Sequence, residues 1–399
     1  MRTGARMLVA ASAAVILGVS LGASAQASAP AMTFQDEAAA IEWDLAVIAK
    51  SKGWTVAEAR AQHEAGLRLD RVRDAVAFRL GESAVVGGML AEEPLGVPSL
   101  LIKGTATAEV RQLAAASGVR ILDGQPYTAA QLRKRASVVH DRLVGMGYPE
   151  VVTAVDIATA GVSATVTAQS GLPATGAALA ASLPADLNDL GDGVALAVSG
   201  KPAVRRETAA FGGLRNRFNG AARCTSGWSV INSSGTTGVS TAAHCSVNQI
   251  THDGVNHPLA LQAQHIGSQG DVEWGTTTFP EPDDFHPNGL VIRDVGAVEP
   301  IANITLNETI CVYGRTTNAE ECSTVDALDV TITDSLGTSK RLVAMGHVTQ
   351  PGDSGGPWYN GVRAYGSHVG EASIDGEPRS VFQVADLYDE ALAVRVRTT

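Results

Sequence analysis

In the first half of the chain apolar residues recur every three or four positions, the spacing that lines one face of a helix. This period predicts helices over Ala38–Lys50, Thr55–Ala65, Thr107–Ala116 and Thr128–Met146, where Ala, Leu, Glu and Arg dominate. Several of these runs follow a Thr able to cap them. Between them, β-branched runs bounded by Gly or Pro predict strands at Ala84–Leu90, Ser99–Lys103, Val151–Ile157 and Val162–Ala168. Asp36 to Val198 therefore reads as α+β. Past a junction near Gly200–Gly213 the pattern becomes short alternating or apolar runs separated by Gly, Asn, Asp and Ser. These include Trp228–Ile231, Gly238–Ala243, Leu259–Ile266, Val272–Phe279, Thr309–Tyr313, Val325–Thr333, Arg341–Met345, Pro357–Tyr359, Val362–Ser367 and Val381–Val384. Many short strands with turn residues between them predict an all-β barrel or sandwich. Only Asp386–Val396 reads as a helix in this half.

The first residues have a grammar of their own. Arg2 and Arg6 precede an apolar run, Met7–Leu21, and small residues follow at Ala23-Ser24-Ala25 and again up to Ala29. This is the order of a secretory signal, expected to end near residue 29. The run is short for a membrane span, so no membrane association is expected once it is removed. A chain of 399 residues exceeds one ordinary core. The expected division is a signal peptide over 1–29, an α+β unit over 30–207 and an all-β unit over 208–399. A net charge of −11 with no basic tract argues against a nucleic-acid partner.

All four cysteines, Cys224, Cys245, Cys311 and Cys322, lie past the midpoint. In an exported chain they read as disulfides, with three pairings open. The nearest-neighbour pairing is the expected one, since it closes two short loops at about 3 kcal/mol each by chain entropy. Zinc-ligand spacings such as CxxC are absent from the sequence. No cofactor or metal is expected.

Three stretches carry candidate chemistry: Thr241-Ala242-Ala243-His244-Cys245, Gly270-Asp271-Val272-Glu273-Trp274, and Pro351-Gly352-Asp353-Ser354-Gly355-Gly356-Pro357. Amide hydrolysis at neutral pH needs a nucleophile, a base for its proton, a group to hold the base's tautomer, and donors for the oxyanion. Ser354, His244 and Asp271 supply the first three. The Gly352 and Ser354 N–H groups supply the donors, because glycines allow the sharp turn that aims them. Asp253, Asp283 and Asp284 are the other candidates for the acid. The G-x-S-x-G pattern around Ser354 also fits an α/β-hydrolase elbow, but His368, the sole histidine after Ser354, precedes Asp375, Asp386 and Asp389, so the required order fails.

TAAHC at 241–245 and GDSGGP at 352–357, some 110 residues apart, resemble the two signature segments of the chymotrypsin-like serine peptidases. Gln350-Pro351 before GDSGG, and Cys311-Val312-Tyr313-Gly314-Arg315-Thr316-Thr317 leading to Cys322, are similar to the bacterial streptogrisin and α-lytic protease branch. The resemblance covers about Ala210 to the C-terminus. It implies a trypsin-like fold of two six-stranded antiparallel β-barrels with the site between them, and an α+β pro-region in front. It implies a secreted serine endopeptidase, made as a proenzyme, acting on polypeptides as a monomer, with its own pro-region as folding aid and inhibitor. By the same resemblance Asp271 lies at the expected interval beyond His244, and Arg315 pairs with Asp353 as a buried ion pair. Ser367 and Val369 begin the edge strand that binds substrate. Val348 and Thr349 fall near the primary pocket, where no acid stands, so an apolar or small residue before the cut is expected. His368 leaves an acidic preference open. Val348 stands where many relatives carry a further disulfide cysteine.

Overall fold

The computed structural model describes residues 33–183, 193–206, 213–252 and 254–399; the expected signal peptide and Asp253 lie outside them. Thr and Asp caps start the helices where the period predicts. α1 (Glu37–Lys52) begins at Asp36, whose side chain accepts the Ala39 N–H. α2 (Val56–Leu80) opens with a reciprocal Thr55–Glu58 capping box, α3 (Ala108–Ala116) with Thr107, and α4 (Ala129–Gly145) with Thr128 and Gln131. α2 runs well past its expected end at Ala65. Its buried stripe continues through Leu69, Val72 and Val76, but the charged residues between them mask the period in the sequence.

The N-terminal half holds two layers. Val85–Met89, Ser99–Lys103 and Arg120–Gln125 form a small sheet that packs with α2 and α3 around Leu69, Val76, Leu100, Ile102 and Val110. Arg120–Gln125, unanticipated because RILDGQ does not alternate, pairs in parallel with Ser99–Lys103. The second layer is the hairpin Val151–Asp156 and Gly161–Thr167, joined in parallel by Val194–Ser199.

In the C-terminal half, six strands close on themselves in the order Thr309–Gly314, Pro357–Asn360, Arg363–Ile374, Glu377–Val384, Gly337–Gly346 and Ala319–Asp334, the last returning to the first. Closure removes the exposed edge that an open sheet would leave. The other barrel consists of a five-stranded sheet (Ala260–Gly267, Gly270–Thr276, Thr237–Thr241, Ser229–Asn232, Val394–Val396) and a four-stranded one (Ala221–Thr225, Arg215–Phe218, Gln249–His252, Val255–Pro258). The C-terminal helix expected over Asp386–Val396 is confined to Tyr388–Leu392, beyond a short turn of tighter helix. Ala393 adopts a φ of 54° that stops it. Val394 and Val396, alternating and buried, complete the sheet against Ser229–Asn232 instead.

Among the described residues the two halves share backbone ladders at three places, besides an isolated parallel bridge between Met89 and Leu306. The hairpin Val151–Asp156 extends the closed barrel by pairing with Ala319–Asp334, Thr153 opposite Thr331. Thr33–Gln35 pairs in parallel with Val291–Asp294. Val204–Arg206 pairs antiparallel with Gly370–Ala372.

Candidate active site

His244 follows the strand Thr237–Thr241 in a single helical turn, Ala243–Cys245. That strand lies antiparallel to Gly270–Thr276 with Thr241 opposite Glu273. Asp271, two residues before Glu273, is thereby brought level with the turn. Its Oδ1 accepts the His244 backbone N–H at 3.0 Å and its Oδ2 accepts Nδ1–H at 2.6 Å. Two bonds to one residue fix both ring orientation and tautomer. Nε2 is then free of its proton and faces Ser354 Oγ at 3.0 Å. All three residues are buried.

Ser354 comes from the closed barrel, on the loop before Pro357–Asn360, and contacts with the other barrel hold that loop in place. The Thr225 N–H donates to Ser354 O at 2.8 Å and Thr225 Oγ1 to Gly352 O at 3.2 Å. Cys224, next to Thr225, is disulfide-bonded to Cys245, next to His244. The cross-link therefore ties the strand that positions the serine loop to the turn that carries the imidazole. Cys311 and Cys322 form the other disulfide, so the nearest-neighbour pairing is the observed one. Cys224, Cys245 and His244 gather closely enough to suggest a metal site, but both thiols are engaged in the disulfide. Gly352, at a φ of 111°, takes a backbone conformation that side chains disfavour.

The ion pair expected between Arg315 and Asp353 is not formed. Arg315 donates instead to the Tyr313 hydroxyl at 2.9 Å. Asp353, fully buried, accepts the Thr316 and Thr317 N–H groups at 2.9 and 3.2 Å, the Thr317 hydroxyl at 2.5 Å and the Gln350 N–H at 2.9 Å. Four neutral donors solvate the carboxylate without a counter-ion, in the way that multiple backbone N–H bonds stabilise buried carboxylates. Gly314 makes the approach possible, since a Cβ there would lie only 2.0 Å from Asp353 Cγ.

Ser367 also differs from expectation. It lies inside the sheet between Pro357 and Gln383, and its hydroxyl bonds that of Tyr388 at 2.7 Å. The strand Pro357–Asn360 covers that side of the sheet as far as Ser367, with a further bond from the His368 N–H to Gly356 O, and the edge paired with Val204–Arg206 begins at Gly370. Val369 is at the site, its carbonyl oxygen lying 3.2 Å from Ser354 Oγ. His368 is buried, its ring 6.3 Å from that of Trp358. Val348, Thr349 and Ser380 come together, the Ser380 hydroxyl accepting both backbone N–H groups and lying 2.7 Å from Thr349 Oγ1.

Two further residues lie against Asp271: Gln383, far from any motif, and Glu273, which sits within the Gly270–Trp274 stretch but has no role there by sequence. Gln383 Oε1 accepts the Asp271 N–H at 2.8 Å, across 112 positions. Glu273, buried beside Asp271, accepts the Val247 N–H at 3.1 Å. Burial pushes its carboxyl up to about 8, the Val247 bond opposing and the Asp271 charge adding to the rise. The folded protein thus holds a proton on Glu273 from about pH 4.5 to 8 that the unfolded chain has lost, so rising pH across that window costs stability. Glu273→Gln removes the penalty. The melting temperature of the variant is expected to match wild type below pH 4.5, to exceed it increasingly up to about pH 8 and to keep a constant margin above that. Equal shifts at pH 4 and pH 9 would contradict this.

An arrangement of Ser354, His244 and Asp271 in which the histidine and aspartate come from one β-barrel and the serine from a second, closed one is similar to the triad geometry of chymotrypsin-like serine peptidases, and the sequence is similar to a streptogrisin. Streptogrisin-C of Streptomyces griseus is 30% identical over 156 residues, 39% of this chain and 34% of that protein. The chain thus spans about a third of the length of the curated relative it matches. Among solved structures, a Nocardiopsis protease is 25% identical over 47% of this chain and 98% of its own, with a TM-score of 0.39. Protease A of Thermobifida fusca is 22% identical over 48% and 100%, with a TM-score of 0.40. No family model matches the sequence.

Proposed function

We propose that the C-terminal half is a serine endopeptidase exported as a proenzyme, with residues 1–29 as signal, 30–207 as pro-region and 208–399 as the catalytic unit. One observation carries the catalytic reading: Nε2 of His244 lies 3.0 Å from Ser354 Oγ while Nδ1 lies 2.6 Å from Asp271. Ser354 Oγ attacks the scissile carbonyl carbon as its proton passes to Nε2. The N–H groups of Gly352 and Ser354 receive the developing oxyanion. Nε2 then protonates the departing amine, leaving an acyl-enzyme, and water repeats the sequence to release the acid. Asp271 stays ionised and stabilises the imidazolium.

Two ladders support the pro-region's roles. Val204–Arg206 occupies the sheet edge at Gly370–Ala372, beside the Val369 carbonyl that lies 3.2 Å from Ser354 Oγ. An extended peptide added to an edge strand is how such an enzyme holds its substrate, so this segment supports inhibition by occupation. The hairpin Val151–Asp156 and Gly161–Thr167 continues the barrel sheet, as a template for slow non-local pairing would. Both disulfides suit export. Among the described residues no helix is long and apolar enough to cross a membrane.

Val348 and Thr349 bond Ser380 and carry no charge, and the lack of an acid at these positions supports apolar or small side chains before the cut. Processed enzyme assayed on peptides with Leu, Phe, Ala, Glu, Arg or Lys at that position is expected to favour the first three. Ser354→Ala is expected to hydrolyse none of them measurably. Preference for Arg or Lys contradicts the pocket reading, and preference for Glu transfers it to His368.

A further inference from the structure

Arg293, in the C-terminal half, is fully buried. Of the groups around it, the nearest carboxylate and the Nε acceptor both come from the N-terminal half. Asp44 Oδ1, on α1, lies 2.7 Å from Nη1, and Gln35 Oε1 accepts from Nε at 2.8 Å. Its own half contributes the Gly361 carbonyl at 3.2 Å and Glu320 at the longer distance of 3.9 Å. Glu320 is also engaged elsewhere, accepting from the Tyr359 hydroxyl at 2.9 Å and from Trp43 Nε1 at 2.6 Å. The second oxygen of Asp44 accepts the Gly361 N–H at 2.5 Å. The Gly361 N–H thus bonds one oxygen of the carboxylate while the guanidinium stands in ion-pair contact with the other; burial pushes the Asp44 carboxyl well above its ordinary range, and the Arg293 charge opposes that rise.

The surroundings of this contact are apolar. Leu45, Ile48 and Ala49 of α1 belong to the same core cluster as Trp228, Tyr313 and Tyr359. Gly361 sits so close to α1 that a Cβ would meet Ile41 Cγ1 at 3.0 Å. The surface is therefore an anion-reading socket set in a hydrophobic face, and it fits a helix with one carboxylate at its centre. Removing one member of a buried ion pair is far more damaging than the pair itself is stabilising, because the other charge stays behind unpaired.

Taking the proenzyme reading as its basis, we propose that Arg293 and Gly361 form the principal anchor for the pro-region, through Asp44. We further propose that this anchor holds α1 on the protease after the junction between the halves is cut, whether or not Val204–Arg206 leaves the sheet edge. The processed protein is then a two-chain complex with its first helix retained.

The test uses the full chain carrying Ser354→Ala, with a recognition site for an unrelated specific protease placed within 207–212 and cleavage verified on a denaturing gel. It requires no activity of the protein, so its failure is distinct from failure of the peptidase reading. Sedimentation of the cut material should show the two pieces associated at micromolar concentration. Deleting 204–206 should leave them associated. Asp44→Asn should weaken association by about 100-fold or more, and adding Arg293→Met to it should recover a substantial part, because neither charge is then left unpaired. Circular dichroism of the uncut precursors checks folding. Should Asp44→Asn fail to fold, Gln35→Ala provides the same readout with a smaller loss, of about 3- to 10-fold. Separation of the unsubstituted pieces overturns the proposal. So does separation caused by the 204–206 deletion, or unchanged association in Asp44→Asn or, where that variant does not fold, in Gln35→Ala. A double variant as weak as Asp44→Asn alone assigns Asp44 a role that does not run through Arg293, and likewise overturns it.

Discussion

Asp271→Asn is expected to lower kcat by about 10,000-fold while leaving the fold and KM nearly unchanged. Asp271 Oδ2 accepts Nδ1–H at 2.6 Å, and Oδ1 accepts the His244 backbone N–H at 3.0 Å. An amide in its place keeps the second bond through its oxygen and turns its NH2 towards Nδ1. The ring then carries its proton on Nε2, the atom that must receive one from Ser354. Neighbouring supports survive the change, since Gln383 bonds the backbone N–H of residue 271 rather than its side chain. Stopped-flow and steady-state kinetics, with a melting curve as control, check the outcome. A variant within tenfold of wild-type kcat would place the orienting role elsewhere.

The second large effect concerns folding. Residues 208–399 expressed alone are expected to recover activity from denaturant at least about 100-fold more slowly than when the pro-region is supplied, because most pairings in a closed barrel are distant in sequence. Without the N-terminal half, Arg293 loses Asp44 and Gln35. The edge at Leu328 and Thr331–Thr333 loses its partner strand. The core around Trp228 and Tyr359 loses Leu45, Ile48 and Ala49. Prompt refolding of 208–399 to full activity would end the template role.

The meeting of Ser354, His244 and Asp271 is legible because these residues stand in contiguous, recognisable segments. TAAHC and GDSGGP each place a reactive group among small residues, and Asp271 follows His244 at an interval that one antiparallel pairing accounts for. Helix starts were legible for a similar reason, since a Thr cap and the residue three positions on are local. What escaped is non-local or turns on small geometry. Gln383 meets Asp271 only because two barrels meet. The edge begins at Gly370 rather than Ser367 because the neighbouring strand Pro357–Asn360 reaches as far as Ser367, an extent of pairing that leaves no mark in composition. The resemblance assigns Arg315 to Asp353. The structure instead uses N–H and hydroxyl donors of Thr316, Thr317 and Gln350, residues with no net charge to advertise the role.

The central claim, that Ser354 is a nucleophile activated by His244, is tested most directly by labelling processed protein with a fluorophosphonate and mapping the modified residue by mass spectrometry. Stoichiometric modification of Ser354, abolished in Ser354→Ala and greatly slowed in His244→Ala, is the expected result. Absence of modification in processed wild type, or modification that persists in Ser354→Ala, would contradict it.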